Sequence, residues 1–172
     1  ERRDLFNTQL KALLRAGVYG NLHILIPMVC SVTDLLATRE IIDELCVELA
    51  ENGIEHVREL PLGAMIETPG AAMIAGELSK ICDFFSIGTN DLIQYTMAVD
   101  RSNERVAYLY RPSHPAILKL IKHTVQAAKA NNMYVSVCGQ IAETIMMTPL
   151  LIGLGVNELS MPVSAIPLQR RT

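Results

Sequence analysis

Residues 62–91 read LGAMIETPGAAMIAGELSKICDFFSIGTND. Leu62 to Ile66 is a short apolar run, the pattern of a strand covered on both faces. Thr68-Pro69 reads as an N-cap followed by proline in the first helical turn, and the pattern predicts a helix to about Lys80. Phe84 to Ile87 is strand-like again, and Gly88-Thr89-Asn90-Asp91 is the turn after it. A strand, a helix and a second buried strand make a β-α-β unit. Such units cross over right-handed and set their strands parallel.

The same alternation extends in both directions. Upstream, Arg2 to Ala16 carries Leu5, Phe6, Leu10, Leu13 and Leu14 at helical spacing, with Gly17 as its stop. Leu22 to Val29 (LHILIPMV) is a buried-strand run. Asp34 to Ala50 is helical through Leu35, Leu36, Ile42, Leu45 and Leu49, and Asn52-Gly53 ends it. Downstream, a short helix runs to about Met97 and a long amphipathic one spans Pro115 to Ala130, closing at Asn131-Asn132. Tyr134 to Val137 is a strand. Glu143 to Leu154 is helical with a break expected at Pro149. Leu159 to Met161 is a last strand, and Ser164 is a candidate cap for a final helix. The order fits either an open doubly wound α/β sheet or part of a (β/α)8 barrel. A full barrel takes about 250 residues, so about five strands would be a piece of one.

Composition excludes several classes. Half of the 172 residues are apolar and the net charge is only −3, which argues against disorder. Fifteen Lys and Arg against 18 Asp and Glu, with no basic block, argue against nucleic-acid binding. No apolar run reaches about 18 residues, so no membrane insertion is expected. The charged start, Glu1 to Asp4, lacks the core of a signal peptide. Cys30, Cys46, Cys82 and Cys138 form no C-x-x-C pair and lack histidines at zinc-finger spacing. A reducing, cytoplasmic setting is expected. P-loop, G-x-G-x-x-G and G-x-S-x-G motifs do not occur. His23, inside a strand pattern, reads as a satisfied core or packing residue.

In both arrangements ligands bind at the carboxyl ends of the strands. Those ends carry Pro27-Met28, Glu67, Asn90-Asp91, Cys138-Gly139 and Ser160-Met161. Glu67 reads either as a charge stabilising the following helix N-terminus or as a ligand for a hard cation. Asn90 or Asp91 reads either as a helix cap or, for Asp91, as a second ligand. Two carboxylates on neighbouring strand ends repel unless a cation or proton lies between them, and such a pair suits Mg²⁺. Arg101 reads either as a surface partner of Asp100 or Glu104, which spacing alone favours, or as a clamp for a phosphate or carboxylate. Cys138 reads either as an inert buried thiol or, from its place on the rim, as a reactive one.

Three stretches carry a resemblance: Gly63 to Pro69 (GAMIETP), Asp83 to Arg101 (DFFSIGTNDLIQYTMAVDR) and Val137 to Gln140 (VCGQ). With LYRPSHPAILKLI after Tyr108 and GLGVNELSM near the end, they resemble the C-terminal, phosphoenolpyruvate-binding domain of the phosphoenolpyruvate–protein phosphotransferases, Enzyme I of the sugar phosphotransferase system. The likeness runs over nearly the whole chain. It implies a (β/α)8 barrel, of which residues 1–172 would be a C-terminal portion. It implies Mg²⁺ held by Glu67 and Asp91, substrate contacts from Asn90 and Asp91, phosphate binding by Arg101, and Cys138 as the acid that protonates the methylene carbon of the enolate. The implied reaction moves the phosphoryl group of phosphoenolpyruvate to a histidine on another domain and leaves pyruvate. The implied partners are that phosphohistidine domain, the HPr phosphocarrier beyond it, and a second copy of the chain in a homodimer.

The pattern departs from the family in two places. Where the family usually reads C-G-E, this chain has Gln140, which carries no charge. The Gly-Asp that commonly follows is replaced by Glu143-Thr144. The resemblance places the phosphorylatable histidine and the early barrel strands outside these residues, so the chain alone is expected not to complete phosphotransfer. Two other readings stand beside it. One is the barrel of a pyruvate phosphate dikinase or phosphoenolpyruvate synthase, which share the GTNDL-type element. The other is a non-catalytic dimerisation or regulatory remnant.

Overall fold

A computed structural model describes residues 2–171. Five parallel strands form one sheet in chain order: β1 (Ile24–Ile26), β2 (Leu62–Ile66), β3 (Phe84–Gly88), β4 (Tyr134–Cys138) and β5 (Glu158–Leu159). Between them run α1 (Arg3–Ala16), which precedes β1, α2 (Val32–Glu51), α3 (Pro69–Met73), α4 (Ala75–Leu78), α5 (Thr89–Met97), α6 (Pro115–Ala130), α7 (Gln140–Glu143) and α8 (Thr148–Leu154). The helix α9 (Ile166–Gln169) closes the order.

The pairing register explains which side chains face the helices. Ile26 pairs with Ala64, Ala64 with Phe85 and Phe85 with Val135; Ile66 pairs with Ile87 and Ile87 with Val137. Side chains alternate along a strand, so these residues share one face. Ala64, Ile66, Phe85, Ile87, Val135 and Val137 on it are buried. Removing each of the larger ones from water contributes roughly 1.5–3 kcal/mol. The opposite face carries Met65, Ser86, Ser136 and Glu158 in one row, and Phe84 with Tyr134 in another. This second face is the more open of the two: Tyr134 and Glu158 are exposed, and Phe84, Met65 and Ser136 are half-buried. Glu67 follows β2 and is buried beside this row.

Several elements differ from their expected bounds. β1 is only three residues, because Pro27 offers no N–H to a ladder and Met28 then turns to a left-handed φ of +52°. His23 therefore lies before the strand. It is exposed, with its ring 5.4 Å from that of Phe84, and is not a core residue. The helix expected to about Lys80 is two pieces. Ile74, at ψ 21°, ends α3, and its carbonyl then accepts the N–H groups of Glu77 and Leu78 to start α4.

The break expected at Pro149 falls earlier. Thr144 is extended and ends α7, residues 145–147 form a tight turn, and Pro149 sits in the first turn of α8. There its missing N–H would have had no helical partner in any case. The last strand is Glu158–Leu159, not 159–161, although the Ser160 N–H still donates to the Val137 carbonyl at 2.9 Å. Ser164 makes no cap bond; it lies in a 3₁₀ turn ahead of α9. Among the described residues no helix is long and apolar enough to cross a membrane.

Candidate active site

The carboxyl ends of β2, β3 and β4 are adjacent, so Glu67, the start of α5 and Cys138 meet at one rim. Glu67 is 4% exposed. Its Oε1 accepts the Met28 N–H at 2.7 Å, which reaches across from the end of β1. Its Oε2 lies against Gly88: a Cβ there would stand 2.8 Å from that oxygen and 2.9 Å from the Glu67 Cβ. The carboxylate is thus held at one oxygen by a backbone donor and admitted at the other by a residue with no side chain.

Burial pushes the Glu67 carboxyl above its ordinary range; the Met28 N–H pulls it down, and the neighbouring Asp91 pushes it up further. The two acids therefore sit close enough to feel each other, as adjacent strand ends predict. Cys138 belongs to the same cluster. Burial raises its thiol above the ordinary value, hydrogen bonding by Ser86 lowers it, and Glu67 and Asp91 both raise it. The Ser86 hydroxyl donates to the sulfur at 3.9 Å, and the thiol lies 3.6 Å from the Ile87 carbonyl. A thiol so placed keeps its proton at neutral pH and has a hydroxyl ready to stabilise the thiolate once that proton leaves.

The turn after Cys138 fixes Asn90. Gly139 adopts φ +89°, and a Cβ on it would collide with Thr89 Oγ1 at 2.6 Å and Asn90 Oδ1 at 2.8 Å. Only glycine fits both the angle and the space. The Thr89 hydroxyl donates to the Cys138 carbonyl at 2.6 Å, and the Gln140 N–H donates to Asn90 Oδ1 at 3.0 Å. The Tyr110 hydroxyl approaches the same Oδ1 at 3.4 Å. With its oxygen so engaged, Asn90 has its amide hydrogens left to give to a ligand.

Arg101 is exposed on the loop after α5, with its backbone N–H donating to Gln94 Oε1 at 3.3 Å. Among the described residues it forms no ion pair with Asp100 or Glu104. Asp100 instead accepts the N–H and hydroxyl of Ser102 at 2.9 and 2.7 Å. Burial raises the Tyr110 phenol, Arg101 lowers it and Asp91 raises it. The Tyr110 hydroxyl contacts the Asn90 end of α5. Glu67, Asn90, Asp91 and Cys138 thus lie at the carboxyl ends of β2, β3 and β4, whereas Arg101 lies on the exposed loop after α5, with no side-chain hydrogen bond or ion pair to them among the described residues.

Four contributors escaped the sequence reading. Ser86 was the legible one: it is the single polar residue of the run FFSIG, one β-step before Gly88. The Met28 N–H, Gly88 as a contact surface and Tyr110 have no local signal, since each acts on a residue 20 or more positions away.

The donor set fits Mg²⁺. Two acidic side chains offer hard oxygen ligands, and Asp91 raises the Glu67 carboxyl, a repulsion that a cation between them would relieve. Among the described residues no group of three or more His, Cys, Asp or Glu is arranged to hold a metal ion by itself. Water and ligand oxygens would complete the coordination shell, as Mg²⁺ ordinarily requires.

Comparison with known proteins adds a family. Residues 1–172 match the family described as PEP-utilising enzyme, PEP-binding domain. A protein of Priestia megaterium named phosphoenolpyruvate-protein phosphotransferase is 46% identical over 166 residues, covering 96% of this chain and 29% of that protein. A protein of the same name from Listeria monocytogenes is 49% identical over 163 residues, covering 95% of this chain and 28% of that protein. The chain thus spans less than a third of the length of these curated relatives. Among solved structures, a citrate lyase from Burkholderia xenovorans superposes with a TM-score of 0.68 at 18% identity, over 95% of this chain and 52% of the lyase. That likeness concerns the fold, a (β/α)8-type arrangement of which five strands are present here.

Proposed function

The chain belongs to the PEP-binding domain family of the PEP-utilising enzymes, and on that premise we propose that it forms the C-terminal portion of the phosphoenolpyruvate-binding barrel of a phosphoenolpyruvate–protein phosphotransferase. In this reading the domain supports Mg²⁺-dependent transfer of the phosphoryl group to a histidine on another domain of the same protein. HPr receives the group next, and pyruvate is released. The observation that carries the reading is the placement of Glu67, Asp91 and Cys138 at the carboxyl ends of the adjacent parallel strands β2, β3 and β4.

Glu67 and Asp91 hold the cation. When bound, Mg²⁺ supplies positive charge that steadies the phosphoryl group and the enolate oxygen. Arg101 binds the phosphate through its guanidinium, and Asn90 donates its amide hydrogens to a substrate oxygen. Loss of the phosphoryl group leaves the enolate of pyruvate, which needs a proton at its methylene carbon. Cys138 gives that proton, and the Ser86 hydroxyl stabilises the thiolate until solvent reprotonates it.

The relatives' shared name favours the phosphotransferase over the dikinase or synthase reading. The four free thiols fit a reducing, cytoplasmic setting. Exposed Met146, Ile152 and Val163 give a second copy apolar surface to cover in a homodimer. In the full-length protein, Cys138→Ala is expected to leave phosphoenolpyruvate affinity unchanged and to slow pyruvate formation by roughly 10²–10⁴-fold, the range for loss of a general acid. Unchanged turnover would remove the proton donor from the scheme, and a turnover lost together with binding would reassign Cys138 to substrate contact.

A further inference from the structure

The C-terminal helix α9 has one buried polar side chain, Gln169, at 8% exposure. Its Oε1 accepts the hydroxyl of Thr148, the first residue of α8 and itself buried. Its Nε2 donates to the carbonyl of Ala142 in α7 at 3.4 Å. One amide thus spans residues 142 and 148, on the two sides of the tight turn that joins α7 to α8. Burying an amide is unfavourable unless both ends are paired, and a leucine would fill the same space without that cost. Both ends are paired here.

The segment so held depends on tertiary support. α7 is a single turn of four residues, too short to be stable without tertiary support. It starts at Gln140, whose N–H fixes Asn90, and directly follows Cys138 and Gly139. The Ala142 N–H donates back to the Gly139 carbonyl at 3.0 Å. A shift at Ala142 therefore passes within one turn to the residues that hold Asn90 Oδ1 and the Cys138 carbonyl.

We propose that Gln169 is a positioning residue that clasps α7 and thereby sets the Cys138–Gln140 turn from the far end of the chain. The inference rests on the reading of Cys138 and Asn90 as site residues, but its test does not require turnover. In the full-length protein, Gln169→Leu and Thr148→Val are labelled with iodoacetamide and followed by peptide-resolved mass spectrometry, with exposed Cys30 as the internal reference. Amide hydrogen exchange at Gln140 is measured alongside.

Gln169→Leu is expected to raise both the Cys138 labelling rate and the Gln140 exchange rate about fivefold, the change that loss of the Ala142 bond, the one of its two hydrogen bonds that reaches α7, makes in a local opening equilibrium. Thr148→Val is expected to move both in the same direction by less, and it decides the matter if the first variant fails to fold. Gln169→Glu keeps the acceptor for Thr148 but sets a carboxylate against the Ala142 carbonyl. It should behave like the leucine variant at neutral pH and recover at acid pH, where the protonated acid can donate again. Unchanged labelling and exchange in folded variants would overturn the clasp. Cys138→Ala turnover tests the chemistry separately, so failure of that reading leaves the clasp standing.

Discussion

Replacing Gly88 by alanine tests the Glu67 site through a side chain that touches neither cation nor substrate. The added Cβ would stand 2.8 Å from Glu67 Oε2, 2.9 Å from the Glu67 Cβ and 3.2 Å from the Met65 sulfur. Met65 is flexible and can move at little cost. Glu67 cannot, because its Oε1 is held by the Met28 N–H at 2.7 Å and its surroundings are packed. The carboxylate must swing away by a few tenths of an ångström or more, at about 1–3 kcal/mol for overpacking. Loss of the charge-assisted Met28 bond would cost a further 1.5–3 kcal/mol or so. Taking the lower part of that range as falling on the ligated geometry, Mg²⁺ affinity measured calorimetrically in the presence of phosphoenolpyruvate should drop about tenfold to a hundredfold. Circular dichroism of the same sample checks folding. A folded Gly88→Ala protein that binds Mg²⁺ within about twofold of the parent would show that Oε2 has no ligand to present.

Two predictions concern the scaffold. Asp34 Oδ2 accepts the N–H groups of Cys30 and Ser31, each at 2.8 Å, at the start of α2, and the Cys30 bond above all holds its carboxyl below the ordinary value of 3.8. The stability it contributes is present above the unfolded value and is lost as pH falls through the lower folded one. Asp34→Ala should therefore cost about 0.5–1 kcal/mol in urea unfolding at pH 7, the low end for an exposed cap, with the deficit shrinking in acid; a deficit independent of pH would refute the carboxylate's part. Burial pushes the Cys82 thiol up to about 11, so at pH 8 it should alkylate about a hundredfold more slowly than an ordinary exposed thiol. Labelling of Cys82 as fast as Cys30 would contradict the packing around it.

Much of this architecture is written in local patterns. The run LGAMI gave β2 to the residue, and the spacing of apolar positions gave α6 its full span of Pro115 to Ala130. Both are long or strongly apolar and bounded by clear stops. Prediction went astray where one residue type has two uses. Proline breaks a helix interior but starts a helix at its first turn, so Pro149 marks where α8 begins and not where a helix fails. Apolar character alone extended β1 through Val29, although the left-handed φ of Met28 carries the chain off the sheet.

For the site, the acids, the amide and the thiol were legible because parallel topology sends every strand's carboxyl end to one rim. The supporting contacts were not. Met28 to Glu67, Tyr110 to Asn90 and Gln169 to Ala142 join positions 20 to 39 residues apart, and nothing in the local pattern of either partner announces the other.

The central claim is that Glu67 and Asp91 share one cation that brings phosphoenolpyruvate to the rim. Titrating phosphoenolpyruvate into full-length Asp91→Asn protein, with and without Mg²⁺, tests it directly. The account predicts that the Mg²⁺-dependent gain in affinity seen in the parent is lost in the variant, whose neutral side chain also relieves the repulsion on Glu67. An undiminished Mg²⁺-dependent affinity in the variant would contradict it.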